Sequence, residues 1–325
     1  MSLVVKNLSK KYGEKTVLED LNFQMDKPGV YALLGTNGAG KTTSIRMILG
    51  MLSKNSGEVL WNGKPLDTST CNVGYLAEER GLYPKYELMD QHMYFASLRG
   101  VPKGEAKKRI RYWADRLELS EYLYPNQVSS DESGGRGIKA RKKKEKPKKA
   151  DQLSKGNQQK IQLMTALISD PELLILDEPL SGLDPVNTDL FKSIIREEIE
   201  NGKYLIMSSH QMETVEEFCT DIIILDRSKV VLQGNLNDIK KSYGRVNLNL
   251  KVEQDISRFI DQSGITITYE KEYEYNLKVS GEEQANQLLK LLIENHVAII
   301  TFSLREPSLH EIFVQKVGEE AHEAK

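Results

Sequence analysis

Three places in the chain hold residues whose types and spacing suit phosphate chemistry. The first is Gly35-Thr36-Asn37-Gly38-Ala39-Gly40-Lys41-Thr42-Thr43, which satisfies the pattern G-x-x-x-x-G-K-[ST]. Glycines at 35, 38 and 40 let successive backbone N–H groups wrap around phosphate oxygens, with the positive end of a helix dipole behind them. In that arrangement Lys41 adds charge on the β- and γ-phosphates, and the Thr42 hydroxyl is a ligand for Mg²⁺. The second place is Leu173-Leu174-Ile175-Leu176-Asp177-Glu178-Pro179, an apolar run ending in two carboxylates. Phosphoryl transfer to water needs positioning and charge neutralisation more than covalent chemistry. Asp177 is therefore assigned to the metal, and Glu178 to polarising the attacking water as general base. An acidic pair at a strand end is common and gains meaning here from the phosphate loop. The third place is His210, two residues beyond the apolar run Tyr204 to Ser208. Most histidines are ordinary surface or core residues, but a strand-tip position suits contact with a γ-phosphate.

Such residues need strands and helices that end where they stand. Val30 to Leu34 reads as a buried strand, and Thr42 to Met51 places apolar residues at helical spacing, so the glycine loop joins a strand to a helix. Before it, Leu3 to Lys6 and Val17 to Met25 flank the turn Tyr12-Gly13-Glu14-Lys15 and read as two antiparallel strands. Gly57 to Gly63 and the run ending at Leu76 give two more strands. From Glu87 to Leu98 and from Gly104 to Leu119, Leu88, Met93, Phe95, Ile110, Trp113 and Leu117 fall at helical spacing and predict a helical subdomain. A helix capped by Ser154 runs to Asp170-Pro171. Helices over Val186–Ile199 and Gln211–Phe218 then alternate with strands over Tyr204–Ser208 and Asp221–Leu225, as in a sheet with helices on its faces. A strand over Val230–Leu232 and a short helix near Leu236–Tyr243 close this part. After Gly244 the order is βαββαβ, the split arrangement of ferredoxin-like domains. That region carries no catalytic cluster, so it reads as a structural or regulatory appendage followed by a tail over 317–325.

The chain of 325 residues suggests about two domains at ~150 residues each. Its charge is unevenly spread. Arg136 to Lys149 holds nine basic residues against Glu145 alone, a net +8 that leaves −10 on the rest of a chain whose formal net charge is −2. The tract over 128–150 has too little apolar content to offset the entropy of ordering and reads as disordered. No apolar run reaches the roughly 18 residues that cross a bilayer, and the N-terminus has no signal-peptide pattern. Cys71 and Cys219 lack partners at metal-ligand spacing and read as two buried thiols in a reducing compartment.

The phosphate loop, Leu153-Ser154-Lys155-Gly156-Asn157-Gln158-Gln159, Leu173 to Pro179, Ser181-Gly182-Leu183-Asp184-Pro185 and His210, in that order, resemble the nucleotide-binding subunit of an ATP-binding cassette (ABC) transporter over residues 1–243. The resemblance implies an α/β P-loop NTPase cassette: a RecA-like core, an antiparallel β subdomain and a helical subdomain over about 79–170. The α+β ferredoxin-like domain over 244–316 would be accessory. It implies ATP and Mg²⁺ as cofactors and a phosphate loop that uses Gly35, Asn37, Gly38, Ala39, Gly40, Lys41, Thr42 and Thr43. Tyr12 takes the place where the family stacks an aromatic ring on adenine. Ser154, Gly156 and Asn157 fall in the signature motif, which binds the γ-phosphate of ATP held by the opposite subunit, and Asp184 falls in the D-loop. Ser154 as helix N-cap makes a second anion site of backbone N–H groups physically reasonable.

Three departures stand out. The family's Q-loop glutamine is Glu78 here, which can still ligate Mg²⁺. The signature has Lys155 for glycine and Asn157 for glutamine. The basic tract interrupts the approach to the signature. Glu78, Leu-Ser-Lys-Gly-Asn and the ending Arg305 to Phe313 are similar to exporter ATPases of the drug, antibiotic-peptide and sodium-efflux type. Those work with a separate membrane permease and a second ATPase subunit, here a homodimer in preference to a heterodimer, peripheral on the cytoplasmic face of the membrane. Tyr83 and Tyr86 are expected in the permease socket. The basic tract is either a solvated loop or a contact for anionic lipid or an acidic permease loop, at about 1 kcal/mol per basic residue. The alternative is a soluble ABC ATPase on ribosomes or nucleic acid through that tract; a single cassette speaks against it. A small GTPase would need an Asn-Lys-x-Asp motif, which the sequence lacks.

Overall fold

The computed structural model describes residues 1–79, 81–125 and 148–323, with backbone alone from 318 onward. Residues 128–147 of the tract expected to be disordered lie outside the described residues. Its last three residues are ordered, contrary to that expectation: Lys149 bridges Glu87 and Ala150 is 3% exposed at the start of a 3₁₀ turn. Two compact units form, Met1–Gln211 with Ile222–Val231, and Met212–Asp221 with Leu232–Lys325.

The chain opens with β1 (Leu3–Tyr12), β2 (Lys15–Met25), β3 (Gly29–Gly35), α1 (Lys41–Ile48), β4 (Ser56–Trp61), β5 (Lys64–Pro65) and β6 (Val73–Leu76). Next come α2 (Leu88–Leu98), α3 (Lys103–Arg116), α4 (Ser120–Leu123), α5 (Lys155–Leu167), β7 (Leu173–Asp177), α6 (Pro185–Glu200) and β8 (Tyr204–Ser209). After them stand α7 (Met212–Glu216), β9 (Asp221–Asp226), β10 (Lys229–Asn235), α8 (Leu236–Tyr243), β11 (Asn247–Val252) and α9 (Ser257–Gln262). The remainder is β12 (Thr266–Lys271), β13 (Glu274–Lys278), α10 (Glu282–Glu294), β14 (Ile299–Arg305) and α11 (Leu309–Glu323).

One sheet has the order β2-β1-β4-β5, with antiparallel neighbours, and another has the order β10-β9-β3-β8-β7-β6. In the second, β3, β8, β7 and β6 run parallel. Every residue of β7 and β8 is buried, as expected of parallel strands covered on both faces. Helix α1 is packed between the sheets: Ile45, Met47 and Ile48 share one core with Leu3, Val5 and Leu21 on one side and Leu33, Ile175 and Ile206 on the other. Burying both flanks of α1 fixes the glycine loop that leads into it.

Helix α2 departs from its apolar pattern. Met93 and Phe95 are half-buried, while Gln91 and His92 are 3% and 0% exposed. Both polar side chains have backbone partners, which is what makes their burial tolerable. Gln91 accepts from Tyr83 N at 2.9 Å and donates to the Tyr83 and Tyr86 carbonyls at 3.0 Å, so it pins that loop. His92 Nδ1 lies 2.6 Å from Leu88 O, and burial pushes the imidazole pKa down.

In the second unit the sheet order is β12-β13-β11-β14, all neighbours antiparallel, the topology of a ferredoxin-like βαββαβ domain. Leu248, Leu250 and Val252 alternate with Asn247, Asn249 and Lys251, and the apolar set packs with Phe259, Ile260, Leu288 and Leu292 of α9 and α10. Instead of a tail, α11 continues to Glu323. Ser308 and Glu311 explain its start. Glu311 N donates to Ser308 Oγ at 3.2 Å and Ser308 N to Glu311 Oε2 at 2.8 Å, a reciprocal capping box ahead of the buried Leu309 and Ile312. The two cysteines are half-buried rather than buried, and burial pushes the Cys219 thiol up to about 12.

Candidate active site

Parallel strands bring their C-terminal tips to one edge of a sheet, and in open α/β sheets ligands bind outside those tips. The register pairs Leu33 and Asp177 each with Ser208, so β3, β7 and β8 end level. Beyond β3 the chain turns at Gly35 (φ +148°), where a Cβ would come within 2.3 Å of Leu225 O. It enters α1 at Gly40 (φ +110°), where a Cβ would meet Val17 O at 2.7 Å. Both positions combine a left-handed backbone with a close approach, so only glycine fits. Lys41, 6% exposed, turns its ammonium back into the loop, donating to Gly35 O at 2.9 Å and Thr36 O at 3.3 Å.

The two carboxylates have different surroundings. Asp177 is fully buried; its Oδ1 accepts from Ser208 Oγ and, at 3.3 Å, from Thr42 Oγ1. Its Oδ2 is buried without a partner among the described residues, and burial pushes the carboxyl pKa up. A desolvated, half-satisfied carboxylate beside a threonine hydroxyl fits a divalent cation, which would supply the missing charge. No group of three or more His, Cys, Asp or Glu able to hold a metal occurs among the described residues.

Glu178 is 6% exposed, with Oε1 3.3 Å from Lys41 Nζ and Oε2 2.9 Å from His210 Nδ1. Its backbone is left-handed (φ +50°), and its N–H donates to Ser208 Oγ at 2.9 Å. A carboxylate between an ammonium and an imidazole can take a proton from water and pass it on. His210 is 43% exposed and so joins this inner pair to the surface.

A cavity of about 440 Å³ gathers Asn37, Gly38, Gly40, Lys41, Thr42, Thr43, Glu78 and Glu178, together with Lys15, Val17 and Ser228. The last three are additions that sequence patterns do not mark. Ser208, bonded to both Asp177 and Glu178, is another; its one sequence signal is its place two residues before His210. Several expected residues lie elsewhere. Tyr12, 54% exposed, does not line this cavity and has Lys10 Nζ 4.8 Å from its ring centroid. Ser154, Gly156, Asn157 and Asp184 do not line it either. Ser154 caps α5, accepting from Asn157 N at 3.2 Å, and Asn157 Nδ2 donates to Tyr122 OH at 3.0 Å. Asp184 caps α6, and the Asn187 N–H that it accepts holds its pKa below the usual value.

Residues 18–181 match the family described as ABC transporter, and residues 234–317 that described as ATP-binding protein DrrA1-3-like, C-terminal domain. The chain belongs to the ABC transporter ATP-binding family. The chain is 39% identical over 317 residues to the uncharacterized ABC transporter ATP-binding protein YhaQ of Bacillus subtilis (strain 168), covering 97% of this chain and 98% of that one. It is 28% identical over 328 residues to the linearmycin resistance ATP-binding protein LnrL of the same organism, again at 97% and 98% coverage. A solved structure of the ATP-binding subunit of an ABC transporter superposes with a TM-score of 0.63 at 28% identity, over 75% of this chain and 93% of that one. The cassette is thus an ATP-binding ATPase subunit that drives a transporter, and its partner is a membrane permease. No helix among the described residues is long and apolar enough to cross a membrane.

Proposed function

We propose that the cassette is the motor of an exporter, hydrolysing ATP with Mg²⁺ at a site that two subunits complete head to tail. Glu178 is the general base and His210 contacts the γ-phosphate and orients that base. Thr42, Asp177 and Glu78 hold the metal, which when bound neutralises charge on the phosphates. Gly35, Asn37, Gly38, Ala39, Gly40, Lys41 and Thr43 cradle the phosphates, and Tyr12 stacks on adenine. Ser154, Gly156, Asn157 and Asp184 act on the nucleotide of the opposite subunit, a second copy of this chain. Export follows the likeness to a resistance ATP-binding protein. On this reading the ATP-binding domain spans 1–243, with its helical subdomain at 79–170, and 244–316 is accessory. The assembly lies on the cytoplasmic face of the membrane.

One observation carries the reading: Lys41, Glu178 and His210 form a connected chain of contacts at the phosphate loop, while the helix cap at Ser154 stands outside that cavity. A γ-phosphate held by the loop needs further donors, and an exposed helix N-terminus on another copy can provide them. Permease docking is proposed at a groove of about 980 Å³ lined by Met51, Leu82, Phe95, Leu98 and Arg99. Tyr83, which stacks on Phe95 with ring centroids 6.1 Å apart, and the exposed Tyr86 stand as separate aromatic contacts.

The test is Glu178→Gln. It should lower ATP turnover by at least about 100-fold, the usual scale for a general base, and leave a stable dimer in ATP on gel filtration. Turnover equal to wild type, or no dimer in ATP, would overturn the proposal.

A further inference from the structure

Gln159 lies on the second turn of α5, beyond the signature residues, and none of the roles above uses it. Its Nε2 donates to the carbonyl of Pro179 at 2.6 Å. Pro179 is buried and directly follows Glu178. Proline has no N–H, so this carbonyl is the one backbone hydrogen-bonding group the residue offers. A left-handed backbone at a residue with a side chain costs about 1–2 kcal/mol, and such conformations persist only where the surroundings over-determine them. At Glu178 (φ +50°) two side chains do that: Ser208 holds the N–H on one side, and Gln159 holds the next carbonyl on the other.

The same face of α5 makes further contacts. Gly156, one turn before Gln159, sits close to the start of α6 and the residues before it: a Cβ there would lie 3.3 Å from Asn187 Nδ2 and 3.8 Å from Leu183 Cδ2. Gln162, one turn after, donates to Glu79 O at 3.4 Å, the carbonyl next to Glu78. One helix face therefore touches the exit of the catalytic strand, the D-loop segment and the residue following the Q-loop carboxylate, while its N-terminus is the signature.

We infer that Gln159 is a positioning residue for Glu178, transmitting the position of the signature turn to the general base of its own subunit. This rests on the two-subunit reading above. When the signature closes on the nucleotide held by the other subunit, α5 shifts, and the carbonyl after Glu178 moves with it. Each base is then set by ATP in the opposite site, and turnover becomes cooperative in ATP.

The experiment uses the full-length chain with three variants. Gln159→Leu removes the donor, Gln159→Glu places an acceptor against the carbonyl, and Gln159→Lys restores an N–H donor. Steady-state turnover against ATP concentration gives kcat, KM and the Hill coefficient; a fluorescent ATP analogue gives affinity, and thermal unfolding gives Tm. Gln159→Leu and Gln159→Glu should lower kcat by up to about 100-fold, the scale of a catalytic group misplaced by ~1 Å, and bring the Hill coefficient to 1. Analogue affinity should stay near wild type, and Gln159→Lys should recover most of kcat and the cooperativity. If Gln159→Leu keeps wild-type kcat and Hill coefficient, the inference fails. It fails equally if kcat falls only in step with Tm and Gln159→Lys restores nothing. Failure of the two-subunit reading has a separate signature: Glu178→Gln forms no ATP dimer and the wild type itself is non-cooperative, which overturns both.

Discussion

At the residue scale, Asp177 and Glu178 are adjacent in sequence yet have different surroundings: one faces the half-buried Thr42 and the buried Ser208, the other a lysine and a histidine. The pattern of an apolar run ending in two acids located both, but it could not distribute the partners. That distribution depends on Ser208 lying opposite Asp177 in the register and on the left-handed turn at Glu178. Neither feature has a local sequence signal, so nothing in the sequence marks Ser208 beyond its place two residues before His210, whereas the phosphate loop is legible from its glycines and lysine alone. Asp177→Asn tests the metal role. It should abolish the stimulation of turnover by Mg²⁺ and leave binding of a fluorescent ATP analogue in EDTA near wild type, since Lys41 and the loop survive. Undiminished stimulation by Mg²⁺ would remove Asp177 from the metal site.

At the element scale, hydrophobic period gave the strands and most helices, and it misjudged the elements whose order comes from polar contacts. Helix α2 turns Gln91 and His92 inward because each finds backbone partners, a fit that periodicity cannot weigh. Helix α11 begins at a capping box, Ser308 with Glu311, which marks a helix start in the sequence but not how far the helix runs. Ser308→Ala should cost about 1 kcal/mol, read as a lower urea midpoint for the second unit. Helix α6 carries a testable charge. Glu198 is 5% exposed, and burial pushes its pKa above the ordinary 4.5, opposed by nearby Lys203. The folded protein therefore binds more protons than the unfolded chain between 4.5 and the raised value, and stability falls as pH rises through that window. Glu198→Gln should raise the urea midpoint at pH 7.5, and the gain should vanish well below pH 4.5; a lower midpoint at pH 7.5 would mean that the Lys203 attraction outweighs burial.

At the scale of the whole molecule, each unit has its own core: Leu33, Ile175 and Ile206 in one, Leu250, Tyr275 and Leu288 in the other. Two cores allow two unfolding transitions, and a ligand raises only the transition of the unit that binds it. Calorimetry with ATP and Mg²⁺ should therefore shift one transition and leave the other; equal shifts of both would mean a single cooperative unit. The sequence showed that the chain contains two folds, through the change of element order after Gly244. It did not show that Met212–Asp221 groups with the later residues, since a short helix carries no mark of where it packs. The level ends of β3, β7 and β8 have an evolutionary corollary. Side chains alternate faces along a strand, so inserting or deleting one residue in β8 would turn Ser208 away from both carboxylates, whereas the loops between elements can lengthen without moving it. Lineages of this protein should accumulate insertions and deletions in the connections and almost none within these three strands, so the geometry of this site is inherited as a fixed count of residues as much as a set of residue types.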